Sequence, residues 1–236
     1  MRPSDARRRL ARVLVLLRER YGPRRPRRHG SAVRQLVGTI LSQNTTGANA
    51  SAGLRRLWRR FRSWRAVADA PVAEIEKCIR VCGLSRIKAP RIKRILQQVR
   101  RSGNGRAVSL EFLGDMPVER ATEYLLAFDG VGPKTAACVL MFAFHKPVFP
   151  VDTHVRRIAE RLGLIPAGTS PERAQELLTP LIAPSDRYEM HVLLIAHGRQ
   201  ICRARNPGCA ECPLLRMCPF GRAVQVGSDS RRVSSS

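Results

Sequence analysis

Apolar residues recur along this chain at three- and four-residue intervals over most of its length. Leu10, Val13, Leu14 and Leu17 form one such stripe, which predicts a helix over 4–20 with Gly22 just past its end. Val33, Leu36, Val37, Ile40 and Leu41 predict the next, over 31–43. Helical spacing continues through 54–64, from Pro71 to a stop at Gly83, and through Ile92, Ile95, Leu96 and Val99. Pro117 opens a further helix with Val118, Ala121, Leu125 and Phe128 on its inner face. Residues 134–144 carry almost no charge beyond the first turn, which predicts a central buried helix. Three more follow: one through Val155, Ile158, Ala159 and Leu162, one capped by Ser170 and Pro171, and a last long one from Ser185 or Asp186 to Gly198. No segment alternates with the period of a strand, and 148–151 reads as a short extended link. The fold class is therefore all-α. Residues 22–30 read as a Pro/Gly linker, 102–115 as a loop and 221–236 as a disordered tail.

Charge narrows the partner. Lys and Arg number 43 against 18 acidic residues, a formal net charge of +25 in 236 residues. A polyanion is the natural counterpart, because neutralising phosphates releases counterions. The arginines are interleaved with apolar helical positions, as in a folded nucleic-acid binder rather than a basic arm. Aromatic residues are only 5%, which argues against single-strand modules built on base stacking. No stretch approaches the roughly 18 uncharged apolar residues of a membrane span. The N-terminal segment has no signal-like apolar core, since Arg12 interrupts 10–17.

Chemistry concentrates in two places. The first is Gly130-Val131-Gly132 followed by Pro133 and Lys134. Two glycines around a β-branched residue let the backbone approach a ligand closely. Pro133 suits the first helical position, and the unpaired N–H groups there favour an anion such as phosphate. A lysine in that first turn is expected to have its amine pKa lowered, and a neutral amine is a nucleophile. Asp152 precedes the next helix and is a favoured N-cap. The second place is Cys202-x6-Cys209-x2-Cys212-x5-Cys218, four thiols within 17 residues split by Pro and Gly. Such a set can wrap one metal centre, and spacing alone leaves iron–sulfur and zinc both open. Cys78, Cys82 and Cys138 lie on helical patterns and read as core residues.

The stretch from Leu125 to Leu162, with its hairpin and Val151-Asp152-Thr153-His154, resembles the helix-hairpin-helix of the endonuclease III class of DNA glycosylases. The resemblance covers about residues 31–219. It implies that Lys134 is the catalytic nucleophile and Asp152 its catalytic partner. It implies DNA contacts at Gly130 and Gly132 of the hairpin and at His154. Leu41–Gly47 resembles the element that fills the space left by a flipped nucleotide, which brings Gln43 and Asn44 to the DNA. Gly83–Ala89 resembles a turn whose leucine, here Leu84, wedges into the duplex. The cysteine loop matches the family's 4Fe–4S loop at Cys202, Cys209, Cys212 and Cys218, and Arg203 and Arg205 would meet the DNA backbone.

The implied architecture is a helical barrel over 29–149 and a cluster-bearing helical domain from 1–28 with 150–220. The implied partner is double-stranded DNA with a damaged base or abasic site, met by a monomer in the cytoplasm, at the nucleoid. Monofunctional members lack the lysine, so Lys134 implies glycosylase plus abasic-site lyase action on oxidised pyrimidines. Two alternatives are a monofunctional glycosylase for a mismatched or alkylated base and a non-catalytic damage binder. Two positions depart from the family pattern: Gly47 stands for an aspartate, and Asp129 for the proline before the hairpin. Asp129 is expected to bond a backbone N–H two residues on.

Overall fold

The computed structural model describes residues 2–27, 30–102 and 107–233, with side chains as far as Val226. Its helices are α1 (Pro3–Tyr21), α2 (Ala32–Ser42), α3 (Gly47–Phe61), α4 (Trp64–Asp69), α5 (Val72–Ile79), α6 (Ser85–Ser102), α7 (Val118–Leu126), α8 (Pro133–Phe144), α9 (Thr153–Arg161), α10 (Pro171–Leu178), α11 (Arg187–Gln200) and α12 (Pro219–Val233). Short 3-10 turns link several of them, and no strand occurs among the described residues. Local sequence explains many of the starts. Ser31, Thr46, Ser63, Asp152 and Ser170 each sit at an N-cap, and each side chain accepts a backbone N–H from the first turn. A cap of this kind is worth about 1 kcal/mol.

Contacts divide the chain into two compact units, Arg27–Lys146 and Met1–Pro26 with Pro147–Ser236. In the first, α8 packs on α2 and α7, α6 on α4 and α5, and α3 on α2 and α5. Thr135 to Met141 are all buried, so α8 is enclosed on every side beyond its first turn. In the second unit, α11 packs on α9 and α1. Leu10, Val13, Leu14 and Leu17 of α1 share one core with Val155 and Ile158 of α9 and Leu193 and Leu194 of α11. No helix among the described residues is long and apolar enough to cross a membrane.

Secondary structure differs from the sequence reading at four points. The helix read over 54–64 begins earlier, at Gly47, because Thr46 caps it, and ends before Arg62, which is left-handed at φ 60°. Ser63 then caps the separate α4. The turn read over 83–89 is helical from Ser85 onward. The loop read over 102–115 holds a 3-10 turn at Glu111–Gly114. The tail read as disordered from 221 is helical as far as Val233. Residues 28–29 of the linker, 103–106 of the loop and 234–236 of the tail lie outside the described residues. Pro219 supplies the tail helix with a compatible start. The Arg222 N–H bonds the Cys218 carbonyl at 3.1 Å, so α12 grows directly out of the cysteine loop.

Gly53 shows how tightly the first unit is packed. A Cβ there would overlap the Cys82 sulfur, which is fully buried and bonded to the Asn49 carbonyl at 3.3 Å. In an open helix interior, Gly→Ala stabilises by about 1 kcal/mol. Here overpacking reverses the sign, and Gly53→Ala is expected to destabilise by roughly 1–3 kcal/mol in denaturant unfolding. Adding Cys82→Ala removes the clashing sulfur and should recover part of that loss.

Candidate active site

The hairpin is a tight turn between α7 and α8. The Val131 N–H bonds the Phe128 carbonyl at 3.0 Å, and Gly130 has φ +73°, a value that favours glycine at the third position of a turn. A Cβ on Gly130 would also overlap the Arg91 guanidinium, the mobile end of a long side chain that would have to swing aside. Gly132 differs. It is extended at φ −93°, and a Cβ there would meet nothing within 4 Å. Packing does not require this glycine; its effect is to leave the start of α8 bare for an approaching group. Pro133 and Lys134 are the first two residues of α8. Lys134 is half-buried, and its amine makes no hydrogen bond or ion pair among the described residues.

Asp129 behaves otherwise than expected. The Val131 N–H is already committed to Phe128, and the carboxylate turns to α6 instead. Its Oδ2 lies 2.8 Å from Arg94 and 3.7 Å from Arg91. Two guanidinium groups beside the hairpin are thus held by one acid. On the hairpin's other flank, Gln43 donates from Nε2 to the Gly130 carbonyl at 3.2 Å. Asn44, next in the chain, is exposed with φ +52°. Leu84 is 50% exposed with φ +50°, and its neighbour Ile87 is 54% exposed. Gly47, where the family pattern has an acid, is the first residue of α3.

The remaining candidates lie in the other unit. Asp152 caps α9, its Oδ1 accepting the His154 and Val155 N–H groups at 2.9 and 2.8 Å. Both bonds end on Oδ1, so capping leaves Oδ2 available for chemistry. His154 serves packing: a Cβ on Gly198 would lie 2.7 Å from its Nδ1, and the same nitrogen lies 3.0 Å from Arg157. Arg203 and Arg205 are exposed on the first cysteine loop.

Cys202, Cys209, Cys212 and Cys218 line one cavity, walled by Ile201, Leu215 and Phe220. Three of the four sulfurs have an N–H nearby. Arg161 donates to Cys202 at 3.2 Å and the Gly221 N–H to Cys218 at 3.3 Å, and His197 Nε2 lies 3.6 Å from Cys212. Burial, with some repulsion from the neighbouring thiolates, pushes Cys212 up to about 11 and raises Cys209. A bound metal cation reverses that balance. Among the described residues, no three His, Cys, Asp or Glu side chains converge as they would on one ion. Four thiols that share one cavity are a donor set chemically suited to a metal centre.

Sequence reasoning missed the residues that brace this loop. Arg157 donates to the Cys202 carbonyl at 3.0 Å from Nε and to the Gly198 carbonyl at 3.0 Å. Arg161 also holds the Arg203 and Ala204 carbonyls and stacks over Phe220, 4.2 Å from the ring centre. Burial lowers His197 to about 4, which keeps its ring neutral. A neutral ring can accept the Tyr21 hydroxyl at Nδ1, 3.0 Å away, and donate from Nε2 toward Cys212. The two arginines stand four apart on α9, a spacing that reads in sequence as a solvated face.

Comparison with known proteins places the chain in a family. The family described as HhH-GPD superfamily base excision DNA repair protein matches residues 37–184. Endonuclease III of Thermotoga maritima is 36% identical over 210 residues, covering 88% of this chain and 92% of that protein. Two longer Arabidopsis thaliana relatives are 34% and 37% identical over 72% and 76% of this chain, which spans 14% and 64% of their lengths. Among solved structures, a non-covalent endonuclease III–DNA complex superposes with a TM-score of 0.80 at 28% identity, covering 93% of this chain and 98% of that one. A trapped endonuclease III–DNA covalent intermediate gives 0.79 at 28% identity, with 95% and 99% covered. With more than half its length matched by the family and a relative this similar over most of both chains, the protein belongs to the HhH-GPD superfamily of base excision DNA repair proteins.

Proposed function

We propose that this protein is a base-excision-repair DNA glycosylase with abasic-site lyase activity, acting on oxidised pyrimidines in double-stranded DNA. The observation that carries the reading is Lys134, an amine without a partner among the described residues, in the first turn of α8 beside a bare glycine hairpin. The likeness to endonuclease III, one structure of which is a trapped covalent intermediate with DNA, supports it.

In this reading the hairpin N–H groups, at Gly130 and Gly132, grip a backbone phosphate. Leu84, Gln43 and Asn44 enter the duplex as a nucleotide is flipped out. Arg203 and Arg205 hold the flanking backbone. His154 acts one step back, by fixing Arg157 and the start of α9. The Lys134 amine attacks C1′ of the flipped nucleotide as the bond to the base breaks, and the base takes a proton from solvent as it leaves. Asp152, through its carboxylate, takes up the amine proton and stabilises positive charge on the sugar. The sugar ring then opens, its oxygen receiving that proton, and leaves a Schiff base on Lys134. Loss of the C2′ proton expels the 3′ phosphate by β-elimination, and water releases the lysine.

We assign the four cysteines to a 4Fe–4S cluster, on the strength of the shared cavity and the N–H donors around the sulfurs. The cluster would cross-link the loop that carries Arg203 and Arg205, in a structural or redox-responsive role.

Borohydride should trap a covalent complex between the protein and abasic-site DNA, and Lys134→Ala should abolish it; trapping of the variant at the wild-type level would remove Lys134 from its role. Asp152→Asn keeps a competent N-cap, so folding and DNA binding should persist while turnover falls roughly 10²- to 10⁴-fold. Unchanged turnover would sink the carboxylate's assignment.

Anaerobically purified protein should be brown, with iron that is lost when Cys209 and Cys212 are replaced by serine. Zinc without iron by elemental analysis would overturn the cluster.

Asp129→Asn should strengthen binding to duplex DNA roughly two- to fivefold at low salt, because it releases Arg94 and Arg91 to the phosphates; at high salt the gain should vanish. Weaker binding by a folded variant would show that the ion pairs hold the hairpin in shape.

A further inference from the structure

Lys88 is the most deeply buried charged side chain of the described residues, at 1% exposure. Nothing in the proposed chemistry uses it. No carboxylate pairs with it among the described residues. Its ammonium donates to three backbone carbonyls, those of Leu41 at 2.9 Å, Gln43 at 2.6 Å and Cys82 at 3.0 Å. An ammonium has three protons, so every one of them is used.

These carbonyls belong to two separate chain reversals. Leu41 and Gln43 close the C-terminal end of α2, where unpaired carbonyls collect and a cation is favoured. Cys82 ends the 3-10 turn before α6. Just beyond each lies a non-glycine residue in the left-handed region, Asn44 at φ +52° and Leu84 at φ +50°. Only five such residues occur among those described, so two of them flanking one ammonium is a concentrated feature. Conformations of this kind cost energy and persist only where surroundings over-determine them. The backbone of Lys88 adds to the restraint, because its N–H bonds the Leu84 carbonyl at 2.9 Å alongside that of Ile87 at 3.0 Å. The first turn of α6 thus hangs from Leu84, whose side chain is thrown outward, half exposed.

We propose that Lys88 is a positioning residue: it rivets the Gln43–Asn44 and Gly83–Leu84 tips together, so that the two side chains that fill and wedge the duplex are set at a fixed separation before DNA arrives. The proposal rests on the reading of Asn44 and Leu84 as duplex-entering residues. Burial lowers the Lys88 pKa, as expected for an ammonium with no acid beside it. The carbonyls compensate part of that cost. A leucine or methionine would fill the same volume but leave three carbonyls without donors and both tips untied.

The test compares affinity for an abasic-site duplex with affinity for an intact duplex of the same sequence. Lys88→Met should reduce the preference for the abasic duplex by at least about tenfold, while affinity for the intact duplex, set by the hairpin and the basic surface, changes less than about threefold. In a Leu84→Ala background the further loss from Lys88→Met should shrink below about threefold, since both changes act on one wedge. Equal loss on both duplexes, or full additivity, would overturn the proposal and leave Lys88 as a support of the fold. Leu84→Ala alone separates the underlying reading: if it leaves the abasic preference unchanged, the wedge assignment itself fails. Should Lys88→Met not fold, amide exchange of the free wild-type protein decides. The Ile87 and Lys88 N–H groups are expected to exchange within about tenfold of amides in the middle of α6, and free exchange there would show that the tip is not held.

Discussion

Every helix leaves N–H groups unpaired at one end and carbonyls unpaired at the other, and in an all-α chain the groups left over are the main backbone sites available for chemistry. This structure treats its helix ends unequally. Ser31, Thr46, Ser63 and Ser170 close theirs with hydroxyl caps. Asp152 closes one with a single oxygen. The C-terminal end of α2 is closed by a buried ammonium. The start of α8 has no side-chain cap, and glycine and proline keep it bare.

Charge follows the same logic. Although the chain carries a formal +25, its arginines are not uniformly available to a polyanion. Arg157 and Arg161 are committed to carbonyls and a sulfur around the cysteine loop. Arg18 pairs with Glu189 at 2.7 Å. Burial opposes ionisation of that carboxyl, yet Arg18 and the Arg24 N–H together hold it below the usual carboxylate range. Arg91 and Arg94 share Asp129. Net charge therefore overstates the electrostatic surface, and the arginines held by acids are the ones a phosphate can recruit by exchange.

Much of the fold is legible in the sequence because periodicity and caps report directly on helices. The hairpin, Lys134 and the four cysteines can be picked out as candidates because their residue types are tied to local backbone geometry or to ligand spacing, whereas Asp152 reads locally as an N-cap and is a catalytic candidate only through the family resemblance. What stays hidden is tertiary. Nothing in the sequence says that Lys88 reaches three carbonyls, two of them more than 40 positions away. Nothing marks Arg157 and Arg161 as loop braces, or links Tyr21 to His197 across 176 residues. Asp129 defeats a local rule, the Asx turn, because a neighbouring helix competes for its carboxylate with arginines that sequence cannot place. The helical course of 219–233 escapes notice because Gly and Ser content speaks louder than the Pro219 start.

The split of the second unit has a consequence for synthesis. Arg27–Lys146 is continuous in sequence, so every contact within it becomes possible once residue 146 is made. Helix α1 differs: the apolar stripe from Leu10 to Leu17 waits for α9 and α11 before it has a core to join. At ribosomal speeds of about 5–20 residues per second, that interval lasts roughly 10–40 s. Throughout it the apolar stripe of α1 lacks the side chains that bury it in the finished structure. The order of elements along the chain thus leaves this stripe without its core until the trailing half has been made.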